Sequence, residues 1–460
     1  MCYSWLTITN ARQTKGQSTE ATKSAWSRAL RSLRPSPSDM TYLPALKDTD
    51  PTIRDLIIAE EKREWDKMRL IPSENYASDA VMEATGSCLT NKYSEGYAKK
   101  RYYEGQQMVD DVELLAIDRA KQVFNMPHAN VQPYSGSPAN MAVYHAVLEH
   151  GDTIMGLALP HGGHLTHGWK VNFSGKTYHS SPYELDEETE LLNYDKILEQ
   201  AKEVKPKMII AGYTAYPRII DWQKFREICD EVGAYFHADT SHITGLIVGG
   251  VHPSPYPMAD TGITTSHKTL RGPRGALIVC QKEHAQKIDK AIMPGLQGGP
   301  HNNTTAAIAV ALKESQTDEF KTYAAQIVAN AKALADKLNS HGFRLVTGGT
   351  DNHLILFETQ QSKGISGRDA AKALDKAGIV TNCNTVPFDP NPPFKPSGVR
   401  IGTPAITSRG MKESEMEKLG DWMGEVIDNA DDEAVLNRVA GEVQELCKDF
   451  TCPGLHPTNW

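Results

Sequence analysis

The chain has 460 residues, beyond the size at which a single hydrophobic core stops growing, so two domains with sizeable cores are expected. Its net charge of -8, with no long basic run, argues against a nucleic-acid partner, and no apolar run approaches the roughly 20 residues of a membrane span. Seven cysteines, an odd number in a long chain, argue against a disulfide framework and for a reducing compartment, taken as the cytoplasm.

Residues 1–39 carry Arg12, Lys15, Lys23, Arg28, Arg31 and Arg34 against Glu20 and Asp39, amid many Ser and Thr. Two readings stand: a disordered extension ahead of a functional start at Met40, or a transit peptide that makes the protein organellar. Asp50-Pro51 has the form of an N-cap followed by proline at the first helical position, and Ile53, Leu56, Ile57 and Trp65 give the helix an apolar stripe. From residue 110 to 315, short β-rich runs (153–157, 208–211, 234–236 and 276–279) alternate with helical patterns. That alternation predicts a mainly parallel sheet with helices on both faces. A long amphipathic stretch from Phe320 to Leu338 ends towards Gly342 and opens a second domain, with strands at 344–346 and 353–357 and helices over 367–377 and 412–427. The expected division is an extension over 1–39, an N-terminal arm over 40–109, a large domain over 110–317 and a smaller α+β domain over 318–460.

The chemistry centres on Lys268, in Thr264-Thr265-Ser266-His267-Lys268-Thr269, and on Asp239, in Asp239-Thr240-Ser241-His242. Lysine becomes an imine-forming nucleophile only when its ammonium pKa is lowered or a neighbour takes its proton. Pyridoxal phosphate sites supply both, with an acidic partner for the pyridine nitrogen. Asp239 and Lys268 each follow a short apolar run, so both are expected at the carboxyl ends of strands, where open α/β sheets bind ligands. Ser135-Gly136-Ser137-Pro138-Ala139-Asn140 precedes a helical run and gathers small residues and free amides at a helix N-terminus, either a phosphate site or a common turn. His161, His164 and His167 recur every third residue, but Gly162 and Gly163 disfavour a helical zinc site and suit a loop with an imidazole stacked on a flat ligand. No metal is expected there or at Cys447 and Cys452. Arg400, flanked by small residues, has room for a bidentate carboxylate, or else forms a structural ion pair. Glu95, between Tyr93 and Tyr97, is either a general acid or a solvated loop carboxylate.

Ser73-Glu74-Asn75-Tyr76, the run from Leu89 to Tyr97, Arg101-Tyr102-Tyr103, the Ser135 and His161 motifs, Thr264 to Gly275, Gln297-Gly298-Gly299-Pro300 and Arg400 to Pro404 together resemble the serine hydroxymethyltransferase family. The similarity runs from about residue 45 to 425. The resemblance implies a fold-type I pyridoxal-phosphate enzyme, α/β, with a mainly parallel seven-stranded sheet between helices and a smaller C-terminal α+β domain. It implies that Lys268 carries the cofactor, Asp239 pairs with the pyridine nitrogen, His164 stacks on the ring and His242 sits near the phenolic oxygen. Gly136, Ser137 and His267 would hold the phosphate, joined by Tyr93 and Gly299 from the neighbouring subunit of a homodimer or dimer of dimers. Ser73, Tyr103 and Arg400 would bind the amino acid, Thr265 would lie beside the lysine–cofactor bond, and Glu95, from the partner chain, would transfer protons. Tyr102, Leu159, Gly163, Leu165 and Asn384, with Glu95, match positions that line a tetrahydrofolate site. The implied reaction moves the hydroxymethyl carbon of serine to tetrahydrofolate, giving glycine and 5,10-methylenetetrahydrofolate. Two departures bear on it: Glu104 stands where glycine is usual, and Cys383 replaces a usual lysine before Asn384. A carboxylate gained and a cation lost around an anionic folate keep open a folate-independent aldolase acting on threonine or allo-threonine, or an α-methylserine hydroxymethyltransferase.

Overall fold

The computed structural model describes residues 43–455, so the 1–39 segment lies outside the described residues. Two compact units emerge, a small one described from residue 43 to Glu60 and a large one that starts at Glu61. In the small unit Asp50 caps the helix Pro51–Asp66, its carboxylate accepting the Ile53 N–H at 3.1 Å, as the Asp-Pro pair predicts. Along the apolar stripe of that helix Leu56 is 61% exposed and Ile53 45%, whereas Trp65 packs against Tyr76, Ala405 and Cys452. Periodicity decides which side of a helix is apolar, not whether the same chain packs on it.

In the large unit seven strands form one sheet, in the spatial order His128–Asn130, Ala276–Cys280, Thr261–Thr265, Tyr235–Asp239, Met208–Ala211, Thr153–Met155, His179–Ser180. Ala276–Cys280 is antiparallel to both its neighbours and the other pairings are parallel, so the sheet is mainly parallel, as expected. Met208–Ala211 and Ala276–Cys280 read as unbroken apolar runs because both faces are covered. Along Met208–Ala211 the two-residue period sends Ile209 and Ala211 to a core with Trp222 and Phe225, and Met208 and Ile210 to another with Val143 and Ile288.

The helix Asp318–Ser340 serves two cores. Thr317 caps it by accepting the Phe320 N–H at 3.2 Å. Its Phe320, Tyr323 and Ile327 join the sheet core, whereas Leu334 and Leu338 join a second one. Gly342, at φ +81, makes the left-handed turn that ends it. The second core lies under a four-stranded antiparallel sheet, ordered Arg344–Leu345, Leu354–Glu358, Gly398–Gly402, Asn382–Asn384, and under the helices Gly367–Lys376 and Glu413–Asp428. Two features there escape the sequence reading. The helix Glu433–Cys447 buries Leu436, Val439 and Val443, a pattern that was readable at helical spacing. Met68–Arg69 pairs in parallel with Ile379–Val380, and two residues pairing across the chain leave no local signal. No helix among the described residues is long and apolar enough to cross a membrane.

Candidate active site

Asp239 is the last residue of its strand, and Lys268 follows closely on the adjacent parallel strand Thr261–Thr265, so the sheet delivers both to one edge. They line a cavity of about 260 Å³ with Ser73, Gly136, Ser137, His164, His242, Thr265 and His267. Lys268 is only 9% exposed. Burial pulls its amine down to about 8, against the opposing pull of Asp239 and with help from Arg400 and Arg274. That value leaves an appreciable neutral, nucleophilic fraction near neutral pH. Burial alone would push the Asp239 carboxyl up. Hydrogen bonds donated by the His167 ring and by Ser241 outweigh it and hold the carboxyl well below the usual range. Asp239 is therefore an anion, able to keep a proton on a ring nitrogen beside it.

The helix Gly136–Val147 begins at the cavity wall, and the Ser135 side chain makes no capping bond there. Its first-turn N–H groups remain for an outside acceptor. A Cβ on Gly136 would meet Thr265 Cγ2 at 2.8 Å, so the close approach requires glycine. Nearby, Thr265 Oγ1 and His267 Nδ1 are buried without a hydrogen-bond partner. Burial, then Arg274 and Lys268, draw the His267 imidazole down to about 3. Free amides, unpartnered buried polar atoms and the cation of Arg274 fit an oxygen-rich anionic group such as a phosphate.

The three histidines part company. His164 and His167 gather with Asp239, their ligating atoms within 4.8 Å of one another, and His167 Nε2 lies 3.1 Å from Asp239 Oδ2. His161 turns away: its ring meets Phe388 edge-on at 4.5 Å, and its Nδ1 accepts the Leu185 N–H at 3.2 Å. Gly162, at φ +102, permits that turn, and a Cβ on Gly163 would lie 1.9 Å from the Leu157 carbonyl oxygen. Burial, then His167, lowers His164 to about 4, so a neutral, flat ring borders the cavity. His242 stacks on His353, with centroids 5.6 Å apart and planes at 26°.

Arg400 donates from Nε to Asn382 Oδ1 at 3.1 Å and from NH1 to the Thr214 carbonyl at 2.7 Å. Burial alone pulls it down, to about 10, and among the described residues no carboxylate acts on it. A half-buried guanidinium held this way is not a structural ion pair and keeps donors for a bidentate anion.

A second cluster is formed by residues that are not among those lining the Lys268 cavity. The Tyr103 hydroxyl donates to Glu95 at 3.1 Å, Tyr93 and Tyr103 meet edge-on at 5.7 Å, and Tyr93 Oη accepts the Gly299 N–H at 3.4 Å. The hydrogen bond to Glu95 raises the Tyr103 phenol. Tyr93, Tyr102 and Tyr103 are exposed in this chain. Leu159, Gly163 and Leu165 lie along the histidine loop, and Asn384 ends the strand Asn382–Asn384. Thr385 ties the two segments by donating to the Pro160 carbonyl at 3.2 Å. Cys383 sits within that strand, and the backbone carbonyl of exposed Glu104 holds Lys92 Nζ at 2.9 Å.

Sequence reading missed Ser241, Tyr213, Thr214 and Arg274 on the cavity wall, and His353 behind His242. Ser241 and Arg274 lie inside motifs already singled out. His353 borders an apolar strand run and reads as core, because nothing local marks a polar residue as facing a site.

A family model described as serine hydroxymethyltransferase matches residues 46–423. A protein named serine hydroxymethyltransferase from Desulfotalea psychrophila is 62% identical over 411 residues, covering 89% of this chain and 96% of its own length. Another of that name from Sorangium cellulosum is 59% identical over 418 residues, covering 91% and 99%. A third, from Acidothermus cellulolyticus, is 59% identical over 419 residues, covering 90% and 98%.

Proposed function

The chain belongs to the serine hydroxymethyltransferase family, and on that premise we propose that it runs the family's reaction with pyridoxal phosphate held in the Lys268 cavity. The hydroxymethyl carbon of serine passes reversibly to tetrahydrofolate, leaving glycine and 5,10-methylenetetrahydrofolate. Once bound, the cofactor supplies an electron sink for the pair left on Cα when the bond to the hydroxymethyl carbon breaks. The observation that carries this reading is one cavity holding an amine drawn down to about 8 beside a carboxylate held ionised.

The chain's own residues divide the work. Lys268 binds the cofactor covalently, and Asp239 holds the proton on its ring nitrogen. His164 supports the ring face, and His242 stands by the phenolic oxygen. The Gly136 and Ser137 amides with His267 take the phosphate. Arg400 clamps the substrate carboxylate, with Ser73 and Tyr103 beside it, while Thr265 lies close to Lys268. Glu95 moves protons in the folate-dependent step, and Tyr102, Leu159, Gly163, Leu165 and Asn384 line the folate. Tyr93, Glu95 and Gly299 act in the pocket of a neighbouring subunit, in a homodimer or dimer of dimers. They cluster with one another and do not line this chain's own Lys268 cavity, which supports that reading. The enzyme is cytoplasmic, with an arm over 40–109, a large domain over 110–317 and a small domain over 318–460.

Borohydride reduction of the cofactor-loaded protein, followed by peptide mapping, tests the cofactor assignment. Label on Lys268 is expected; label on another lysine would overturn it. Turnover of serine with and without tetrahydrofolate, set against cleavage of allo-threonine, separates the transferase from an aldolase.

A further inference from the structure

Behind Asp239 lies a set of polar side chains that no role above uses: Asn140, Thr166 and His237, each 0% exposed. The hydrogen-bonding capacity of each atom orients the whole set. Asp239 Oδ2 only accepts, so Asn140 Nδ2 at 3.0 Å and His167 Nε2 at 3.1 Å both donate to it. The second N–H of Asn140 goes to Thr166 Oγ1 at 2.8 Å, and its Oδ1 accepts from His237 Nε2, also at 2.8 Å. The Thr166 N–H donates to His164 Nδ1 at 3.3 Å, so that nitrogen is an acceptor. The Thr166 hydroxyl, 2.7 Å from it, therefore donates too, and the His164 ring proton sits on Nε2. In the same way the His164 N–H donates to His167 Nδ1 at 3.4 Å, which places the His167 proton on Nε2, toward Asp239. Burial draws both His164 and His237 down to about 4, so each ring is neutral and carries one placed proton.

We propose that Asn140 is a positioning residue: its single amide group divides two N–H donors between Asp239 and, through Thr166, His164, so that the carboxylate and the flat imidazole are set as one preorganised unit. The proposal rests on the reading of Asp239 and His164 as contacts to pyridoxal phosphate. Asn140 touches neither cofactor nor substrate in that reading. Its effect passes through the orientation and proton placement of two groups that do. Preorganisation of this kind lowers the ordering cost at the moment a ligand binds.

The test uses two readouts on wild type, Asn140→Asp and Thr166→Val. The first is the imidazole nitrogen NMR spectrum of histidine-labelled, cofactor-free protein; the second is the dissociation constant for added pyridoxal phosphate. Wild type should show His164 protonated at Nε2 alone. Thr166→Val, similar in shape but lacking the hydroxyl, keeps the backbone N–H on His164 Nδ1 and loses the shorter of its two donors, so the share of His164 protonated at Nδ1 should rise above wild type. Asn140→Asp keeps the shape, sets a second carboxyl against Asp239 and leaves at most one donor where there were two, and should weaken pyridoxal phosphate by about tenfold to a hundredfold. A His164 proton on Nδ1 in wild type, or unchanged affinity in a folded Asn140→Asp, would overturn the proposal. Should Asn140→Asp not fold, the wild-type and Thr166→Val spectra decide it alone. Failure of wild type to take up pyridoxal phosphate would instead overturn the cofactor reading, an outcome the cofactor-free spectra keep separate.

Discussion

Replacing Lys268 with methionine measures the energetic consequence of burying a reactive amine. Lys268 is 9% exposed, and burial draws its amine from 10.5 to about 8. Each tenfold change in proton affinity is worth about 1.4 kcal/mol, so keeping the charged amine in the fold costs roughly 3 kcal/mol relative to the unfolded chain. Proton counting gives the direction. Below about pH 8 both states bind the proton and the cost is full. Between about 8 and 10.5 the unfolded chain still binds it while the folded chain does not, so stability rises with pH. Above that window both states are neutral and the cost is gone. Methionine has similar length and no charge. Cofactor-free Lys268→Met should therefore be more stable than wild type at neutral pH by up to roughly 3 kcal/mol, with the gap closing as pH rises through the window. Equilibrium urea unfolding at a series of pH values, followed through midpoint and slope, reads the difference. A variant no more stable than wild type at neutral pH, or a gap that stays constant through the window, would refute the buried-amine account.

Three further outcomes follow from the site. Arg400→Lys keeps a charge but loses the fork anchored on Thr214 and Asn382; since a charged hydrogen bond is worth about 1.5–3 kcal/mol, the serine KM should rise about ten- to a hundredfold with cofactor absorbance intact. An unchanged KM would return Arg400 to a structural role. Glu95→Gln should slow tetrahydrofolate-dependent serine turnover by about 10²–10⁴-fold while affecting allo-threonine cleavage far less; equal losses on both substrates would contradict that division. Gly163→Ala would set a Cβ 1.9 Å from the Leu157 carbonyl oxygen, so the loop carrying Leu159, His164 and Leu165 must shift. A lower melting temperature and weaker folate binding are expected, and wild-type values for both would disprove the close contact.

Some of this protein is legible in the chain because the forces involved act over a few residues. The Asp50-Pro51 cap, the apolar strand runs and the long Asp318–Ser340 helix all belong to this class. So does the motif around Lys268, whose hydroxyls, imidazole and glycines are contiguous. The histidine triplet shows where that reach ends: its spacing treats three imidazoles alike, and only the fold separates His161, against Phe388, from His164 and His167 beside Asp239.

By itself the sequence determined the kinds of elements, their approximate limits and the set of residues able to do the chemistry. Periodicity, capping and residue type are local properties, sufficient for that much. Tertiary structure alone decided which of those residues meet. Asp239 and Lys268 are neighbours because their strands are adjacent. Among the described residues no carboxylate acts on Arg400, and Asn140 reaches Asp239 from a helix that begins far earlier in the chain. Strand order and burial set those distances, and the same burial, by removing water, moves the Lys268 amine into the range where it can react.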